Sequence, residues 1–310
     1  MHAEEASPAY VHARFLLNSS NHVSRSELTV FGYAAGGSSS SQRDRFARFT
    51  EVLGKRARVQ IEIFESASYE ELATAVVSGY VDVAWLPPIP LIALAKHGAV
   101  TPLASLHRDG RSTFQSVLIV RADSRFRDPR ELRGARAAWV DRYSASGFVV
   151  PRVALSHLGI DARTAFSQQR FWRSHDTVAR VIVAGRADFG ATYAGTDETG
   201  EIVRGAWLDV KGASDAVRVL AVLGEIPGDV VAVHSKMDMS KKQRLTEALV
   251  GISRDGSTRL LANDAFGIEA FRPFEDAGYV ELRTLTEAAS DVGLLDLDES
   301  ADETGNFTVK

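Results

Sequence analysis

The chain has 310 residues, 45% hydrophobic and 25% charged, which is ample for one large globular core or two smaller ones. Lys+Arg 36 against Asp+Glu 40 gives a formal net charge of −4, so no global field draws nucleic acid or an anionic membrane, and an anionic ligand needs a local site. With no cysteine in these residues, no disulfide, thiolate metal site, cysteine nucleophile or lipoprotein anchor cysteine is expected among them.

Residues 1–27 are polar and aperiodic, with Ser19, Ser20 and Asn21 as breakers, and read as a flexible arm. Phe15-Leu16-Leu17 is too short for the apolar core of a secretory signal, so none is expected in this stretch. These residues fit a periplasmic or a cytoplasmic chain. No run approaches the ~18 apolar residues of a spanning helix.

Strand and helix signals then alternate. Leu28–Tyr33 is β-rich and leads through Gly36-Gly37-Ser38 into a helix from Gln42 to Lys55, where Phe46, Phe49, Val52 and Leu53 share one face. Val59–Phe64 reads as a strand, Tyr69–Ser78 as a helix and Val81–Leu86 as a strand, ended by Pro87 and Pro88 before an apolar helix at Ile89–Lys96. Val117–Val120 is a buried strand near an expected crossing between lobes. Ala137–Val140, Ala187–Thr192, Val217–Leu223 and Val230–Val233 are further strands; Phe148–Leu158, Thr177–Ala184 and Lys241–Ile252 are helices. Leu245, Ala248, Leu249 and Ile252 fall at helical spacing in the last of these. Residues 291–310 are acidic and read as a disordered tail. Such alternation predicts α/β layers with mainly parallel sheets, whose strand ends are where ligands bind.

The most informative local feature is Asp141-Arg142-Tyr143-Ser144-Ala145-Ser146-Gly147, between a strand and a helix. A helix start offers unpaired N–H groups and a partial positive charge, and serine hydroxyls add donors, so an oxyanion fits there. A serine that merely caps the helix explains the same residues, and both roles can coexist. Pro151 suits the first helical turn. Gly36–Ser41 is a second turn of this kind, without the Gly-Lys-Ser/Thr of a phosphate-binding loop. His175 opens a helix in Ser174-His175-Asp176-Thr177, as an anion donor or as a satisfied helix end. Asp197-Glu198 reads as a solvated pair. The eight histidines show no metal-ligand spacing, and no Gly-x-Ser-x-Gly elbow is present, so neither a metal, nor a cofactor, nor a catalytic group is expected.

Several stretches together resemble the phosphonate- and phosphite-binding periplasmic solute-binding proteins of ABC transporters. They are Tyr69-Glu70-Glu71-Leu72, Val81-Asp82-Val83-Ala84-Trp85, Ser116–Ser124, Ser144–Pro151, Ser174-His175-Asp176, Arg186-Ala187-Asp188-Phe189 and Ile226-Pro227-Gly228-Asp229, and the similarity runs from about Leu28 to Leu285. The resemblance implies a two-lobed type-II periplasmic-binding-protein fold, each lobe a mainly parallel sheet flanked by helices. It implies lobe 1 from 28–115 and 236–290 and lobe 2 from 116–235, closing by a hinge on a small anion. It assigns Ser144, Ala145 through its N–H, Ser146, Gly147 and His175 to the anion, and Tyr69 to the opposite wall. Trp85 and Tyr193 are expected to shape the site. Ala145 stands where aminoalkylphosphonate binders carry a hydroxyl, Phe114 where they carry a hydroxylated aromatic, and Ala194 or Gly195 where they carry an amine-binding acid; Asp229 remains as a partner for a cation. A ligand other than aminoethylphosphonate is therefore expected. The implied partners are the ligand and an ABC permease, with a monomer and no nucleic acid. An enzyme of menaquinone- or thiamine-precursor type on the same bilobed fold, and a ligand-sensing accessory module, are the alternatives.

Overall fold

The computed structural model describes residues 28–34, 40–197 and 199–294, apart from the side chains of Ser40, Ser41 and Ala277. The arm at 1–27, residues 35–39 of the Gly36–Ser41 turn, Glu198 and residues 295–310 lie outside the described residues. The chain forms two compact units. Among the described residues, one comprises 28–86, 93–106 and 229–274, the other 87–92, 107–228 and 275–294.

In the first unit β1 (Leu28–Ala34) leads through α1 (Ser40–Ala57) to β2 (Gln60–Ser66), and α2 (Tyr69–Val77) leads on to β3 (Val83–Leu86). Both β2 and β3 pair with β1 in parallel, as strands joined by crossover helices must. Next come α3 (Pro88–Lys96) and β4 (Val100–His107). The second unit holds β5 (Thr113–Arg121), a 3-10 turn at Pro129–Leu132, β6 (Arg136–Trp139), α4 (Val150–His157), β7 (Gln168–Phe171), α5 (His175–Val183), β8 (Phe189–Thr196), β9 (Ile202–Gly205) and β10 (Val217–Pro227). Back in the first unit are β11 (Val230–His234), α6 (Met239–Arg254), α7 (Gly256–Phe266) and β12 (Ala270–Pro273), and α8 (Ala277–Asp291) ends the described chain in the second.

The sheet orders are β12-β4-β11-β3-β1-β2 and β10-β5-β8-β6-β7, with β9 against β8. Both sheets are mixed rather than mainly parallel. Strands β2-β1-β3 and β8-β6-β7 are parallel, whereas β11 runs antiparallel to β3 and β4, and β5 antiparallel to β8 and β10. Strands that arrive from the other unit, without a crossover helix, are free to take the antiparallel direction.

The same pairing moves the expected lobe boundaries. The chain passes over at Leu106/His107 and returns at Gly228/Asp229, not at 115/116 and 235/236. Thr113–Gln115 are polar or half-buried and gave no strand signal, yet they pair with Glu225–Pro227 as part of β5. Val230–His234 pairs inside the first sheet, and α8 packs on β10, so 275–290 joins the second unit. Helix α8 also runs to Asp291, which shortens the expected tail at its start.

The helical faces legible in the sequence make the first core: Phe46, Phe49 and Leu53 of α1 and Leu245, Leu249 and Ile252 of α6 are fully buried against Phe31 and Tyr33 of β1. Phe266 of α7 sets its ring edge against Phe46 and Phe49 at 4.9 and 4.8 Å. The second core joins Val117 and Ile119 of β5 to Val178 and Ile182 of α5. Among the described residues no helix is long and apolar enough to cross a membrane.

Candidate functional site

Strand β6 delivers the chain to the Asp141–Gly147 turn, and the turn is itself wound. Ala145–Val149 forms one π-helical turn ahead of α4, with Val149 N–H donating to the Ser144 carbonyl and Val150 N–H to the Ala145 carbonyl. Such single π turns are frequent at functional sites. The Ser144 hydroxyl accepts from Gly147 N–H at 3.0 Å, the capping role foreseen for it. A hydroxyl that accepts one hydrogen bond still has its own proton to donate. The N–H groups of Ala145 and Ser146 precede the first intrahelical bond, and so point out of the helix start.

Position 147 requires glycine here: a Cβ would lie 2.5 Å from Val140 Cγ2 and 2.8 Å from Ser144 Oγ. The turn thus presses directly onto the end of β6. Ser144, Ala145 and Ser146 are 6%, 4% and 3% exposed, so a ligand there meets N–H and hydroxyl donors that water scarcely reaches. From β5, the fully buried Ser116 donates its hydroxyl to the Ser146 carbonyl at 3.0 Å, which fixes the turn's orientation. Among the described residues the Ser146 hydroxyl itself makes no hydrogen bond.

His175 opens α5 behind the cap Ser174, whose hydroxyl accepts from Thr177 N–H. Its Nδ1 pairs with the Thr192 hydroxyl at 2.9 Å, and its ring meets that of Tyr193 edge-on at 5.0 Å. Burial pushes the imidazole pKa down to about 4, so the ring is neutral near pH 7 and offers a single N–H rather than a charge. Burial, with Asp209 adding to it, also holds the Tyr193 phenol above its ordinary range. Ser116 and Tyr193 are direct partners across β5 and β8, so they share a sheet face with each other and with Phe114, two residues along. Phe114 and Tyr193 are half-buried there.

Ser144, Ala145, Ser146, Gly147, His175, Tyr193 and Phe114 all belong to the second unit, with Ser116 linking the turn to Tyr193 and Tyr193 meeting His175. Tyr69, Trp85 and Asp229 belong to the first. Tyr69 is the first residue of α2, held by a cap in which Ser68 Oγ accepts from Glu71 N–H and the Glu71 carboxylate accepts from Ala67 N–H. The Trp85 ring stacks on Phe46 at 5.7 Å and meets the Phe266 ring edge-to-face at 5.1 Å, and its buried Nε1 has no acceptor among the described residues. Asp229 sits ahead of β11, its carbonyl accepting from Leu106 N–H.

Sequence reasoning did not single out Ser116 and Thr192, which hold the Ser146 carbonyl and the His175 ring. Each is a fully buried hydroxyl in an apolar strand, and that isolation was their signal.

Comparisons with known proteins identify the family and the fold. A curated relative, the phosphate-import protein PhnD of Mycolicibacterium smegmatis, is 26% identical over 166 residues, 50% of this chain. That match spans 51% of the relative, so the chain spans about half of its length. Among solved structures, a binding-protein component of an ABC phosphonate transporter from Pseudomonas aeruginosa superposes with TM-score 0.73 at 17% identity, covering 89% of this chain and 91% of that one. PhnD1 from Prochlorococcus marinus, solved in complex with methylphosphonate, gives TM-score 0.71 at 16% identity, covering 86% and 99%. At these identities the structures establish the type-II periplasmic-binding-protein fold. The family model for the phosphonate periplasmic substrate-binding protein of ABC transporters matches residues 31–279, most of the chain, and the protein belongs to that family.

Proposed function

We propose that this chain binds a small tetrahedral oxyanion of the phosphonate or phosphate class, without chemical conversion, for ABC-type uptake. The observation that carries this is the Ser144–Gly147 turn: the hydroxyls of Ser144 and Ser146 and the N–H groups of Ala145 and Ser146 lead one buried helix start. In the tautomer whose Nδ1 accepts from the Thr192 hydroxyl, the neutral His175 presents Nε2–H as a further donor. A neutral donor set discriminates by geometry as well as by charge, since each ligand oxygen needs its own donor. The named ligands of two relatives, phosphate and methylphosphonate, fall in this class. Ala145 supplies an N–H without a hydroxyl, which suits a ligand with fewer acceptors to satisfy. An ABC permease as partner and Tyr69, Trp85 and Asp229 as further ligand contacts belong to the same proposal.

Calorimetry with methylphosphonate, phosphite, phosphate and aminoethylphosphonate tests it. Binding of at least one of the first three is expected, weakened about tenfold or more in Ser146→Ala, the loss of one hydrogen bond to an anion being worth about 1.5–3 kcal/mol. A folded protein that binds none of them refutes the reading. Tyr69→Phe should weaken the same ligand by a smaller factor, and an unchanged affinity would remove Tyr69 from the site.

A further inference from the structure

We infer that the site continues past Tyr193 into a subsite for an anionic or hydrogen-bond-accepting ligand substituent, read by Arg204; this rests on the oxyanion reading above. Tyr193 and Gly195 alternate onto the same face of β8, the face on which Ser116 holds the Ser146 carbonyl. Arg204 on β9 stands directly opposite Gly195. Its guanidinium lies down on the glycine: a Cβ there would be 2.6 Å from Nη2, 2.9 Å from Cζ and 3.1 Å from Nε. Any side chain at 195 would push the guanidinium away. Lying flat, it reaches to 5.8 Å from the centre of the Tyr193 ring, whose other neighbour is His175.

The donors of Arg204 are unequally used. Nε donates to the Asp109 carboxylate at 3.1 Å, while Nη1 and Nη2 make no hydrogen bond among the described residues. Yet the side chain is only 25% exposed. Asp109 offsets part of the charge from the Nε side and leaves the fork of terminal N–H groups open. That fork matches two oxygens of a carboxylate or phosphoryl group, and it repels an ammonium. Two residues of strand separate Tyr193 from Gly195, roughly 7 Å, the reach of a short alkyl linker. The chemistry selected is therefore a phosphonate bearing a second acid on two or three carbons.

Calorimetry on the full chain with methylphosphonate, 3-phosphonopropionate and aminoethylphosphonate tests the inference. The propionate is expected to bind at least tenfold tighter than the amine. Arg204→Gln should reduce that ratio at least fivefold, and Arg204→Lys, which keeps the charge and loses the fork, at least threefold. A wild-type ratio near one, or a ratio that survives both substitutions, overturns the inference. If methylphosphonate binds and the ratio is near one, the oxyanion reading stands and only the subsite fails. If no phosphonate binds, both fall. Should Arg204→Gln not fold, the wild-type ratio and Arg204→Lys still decide.

Discussion

At the scale of single residues, Gly147 and His175 carry the sharpest consequences. Gly147 is pinned between Val140 and the Ser144 hydroxyl, so Gly147→Ala forces either the turn off β6 or the cap apart. Overpacking of this kind costs about 1–3 kcal/mol, and thermal unfolding should show the loss together with weaker methylphosphonate binding. Native stability and full affinity in Gly147→Ala would mean the turn is not constrained as described. His175 adds a pH dependence whose sign follows from burial. Its folded pKa of about 4 lies below the ordinary 6.5, so the unfolded chain takes up the proton first. The contribution of this group is whole above pH 6.5 and is lost as pH falls towards 4, by about 3 kcal/mol across that window. Denaturant unfolding of wild type and His175→Gln at pH 7 and pH 4.5 should therefore differ in slope, with the variant less sensitive to acid. Equal sensitivity would contradict a neutral, buried imidazole.

At the scale of elements, the two units repeat one device that no periodicity revealed. In each, a serine caps a helix, the helix stops at a glycine of positive φ, and an aspartate three residues later reaches back to the neighbouring strand. Ser68, Gly79 and Asp82 stand at the same spacing as Ser174, Gly185 and Asp188. Asp82 Oδ2 accepts from Val30 N–H of β1, and Asp188 Oδ2 accepts from Arg136 N–H of β6, both at 2.8 Å. Asp188 also takes the Arg136 guanidinium, and the resulting hydrogen bonds hold its carboxyl below the usual range. Tyr69 and His175 are the first helical residue in the two copies, so the fold places them equivalently. Asp82→Ala and Asp188→Ala should each cost about 1.5–3 kcal/mol in chemical denaturation, as charged hydrogen bonds to strand N–H groups are lost. A cost near zero at both would show the repeat to be incidental. Helices α7 and α8 and strand β4 went unread, whereas α1 and α6 were legible because three turns of period reinforce one another, as in Phe46, Phe49 and Leu53. Strands β7, β9 and β12 were not, since four residues with mixed burial give no alternation to read. Val217–Leu223 was read as a strand, but its continuation to Pro227 was hidden, because Gly224 and Pro227 signal a turn and the pairing with β5 shifts register there.

At the scale of the molecule, the α/β class and the family were legible because motifs with modest individual weight kept their order along the chain. The segments that cross between units were harder to place. Ser116 marked the start of an apolar run, whereas β5 begins at Thr113, where half-buried residues pair with β10. Within the candidate site, the turn was readable from its small and hydroxylated residues, but Ser116, which holds the Ser146 carbonyl, and Thr192, which pairs with His175, were not, since both come from strands whose register only the fold defines. Under the proposed function, this turn holds the anion. A crystal structure of the chain with methylphosphonate tests it most directly. Phosphonate oxygens are expected within hydrogen-bond distance of the Ser144 and Ser146 hydroxyls and the Ala145 N–H, with His175 Nε2 on a further oxygen. Methylphosphonate bound elsewhere, with those four donors untouched, would contradict it.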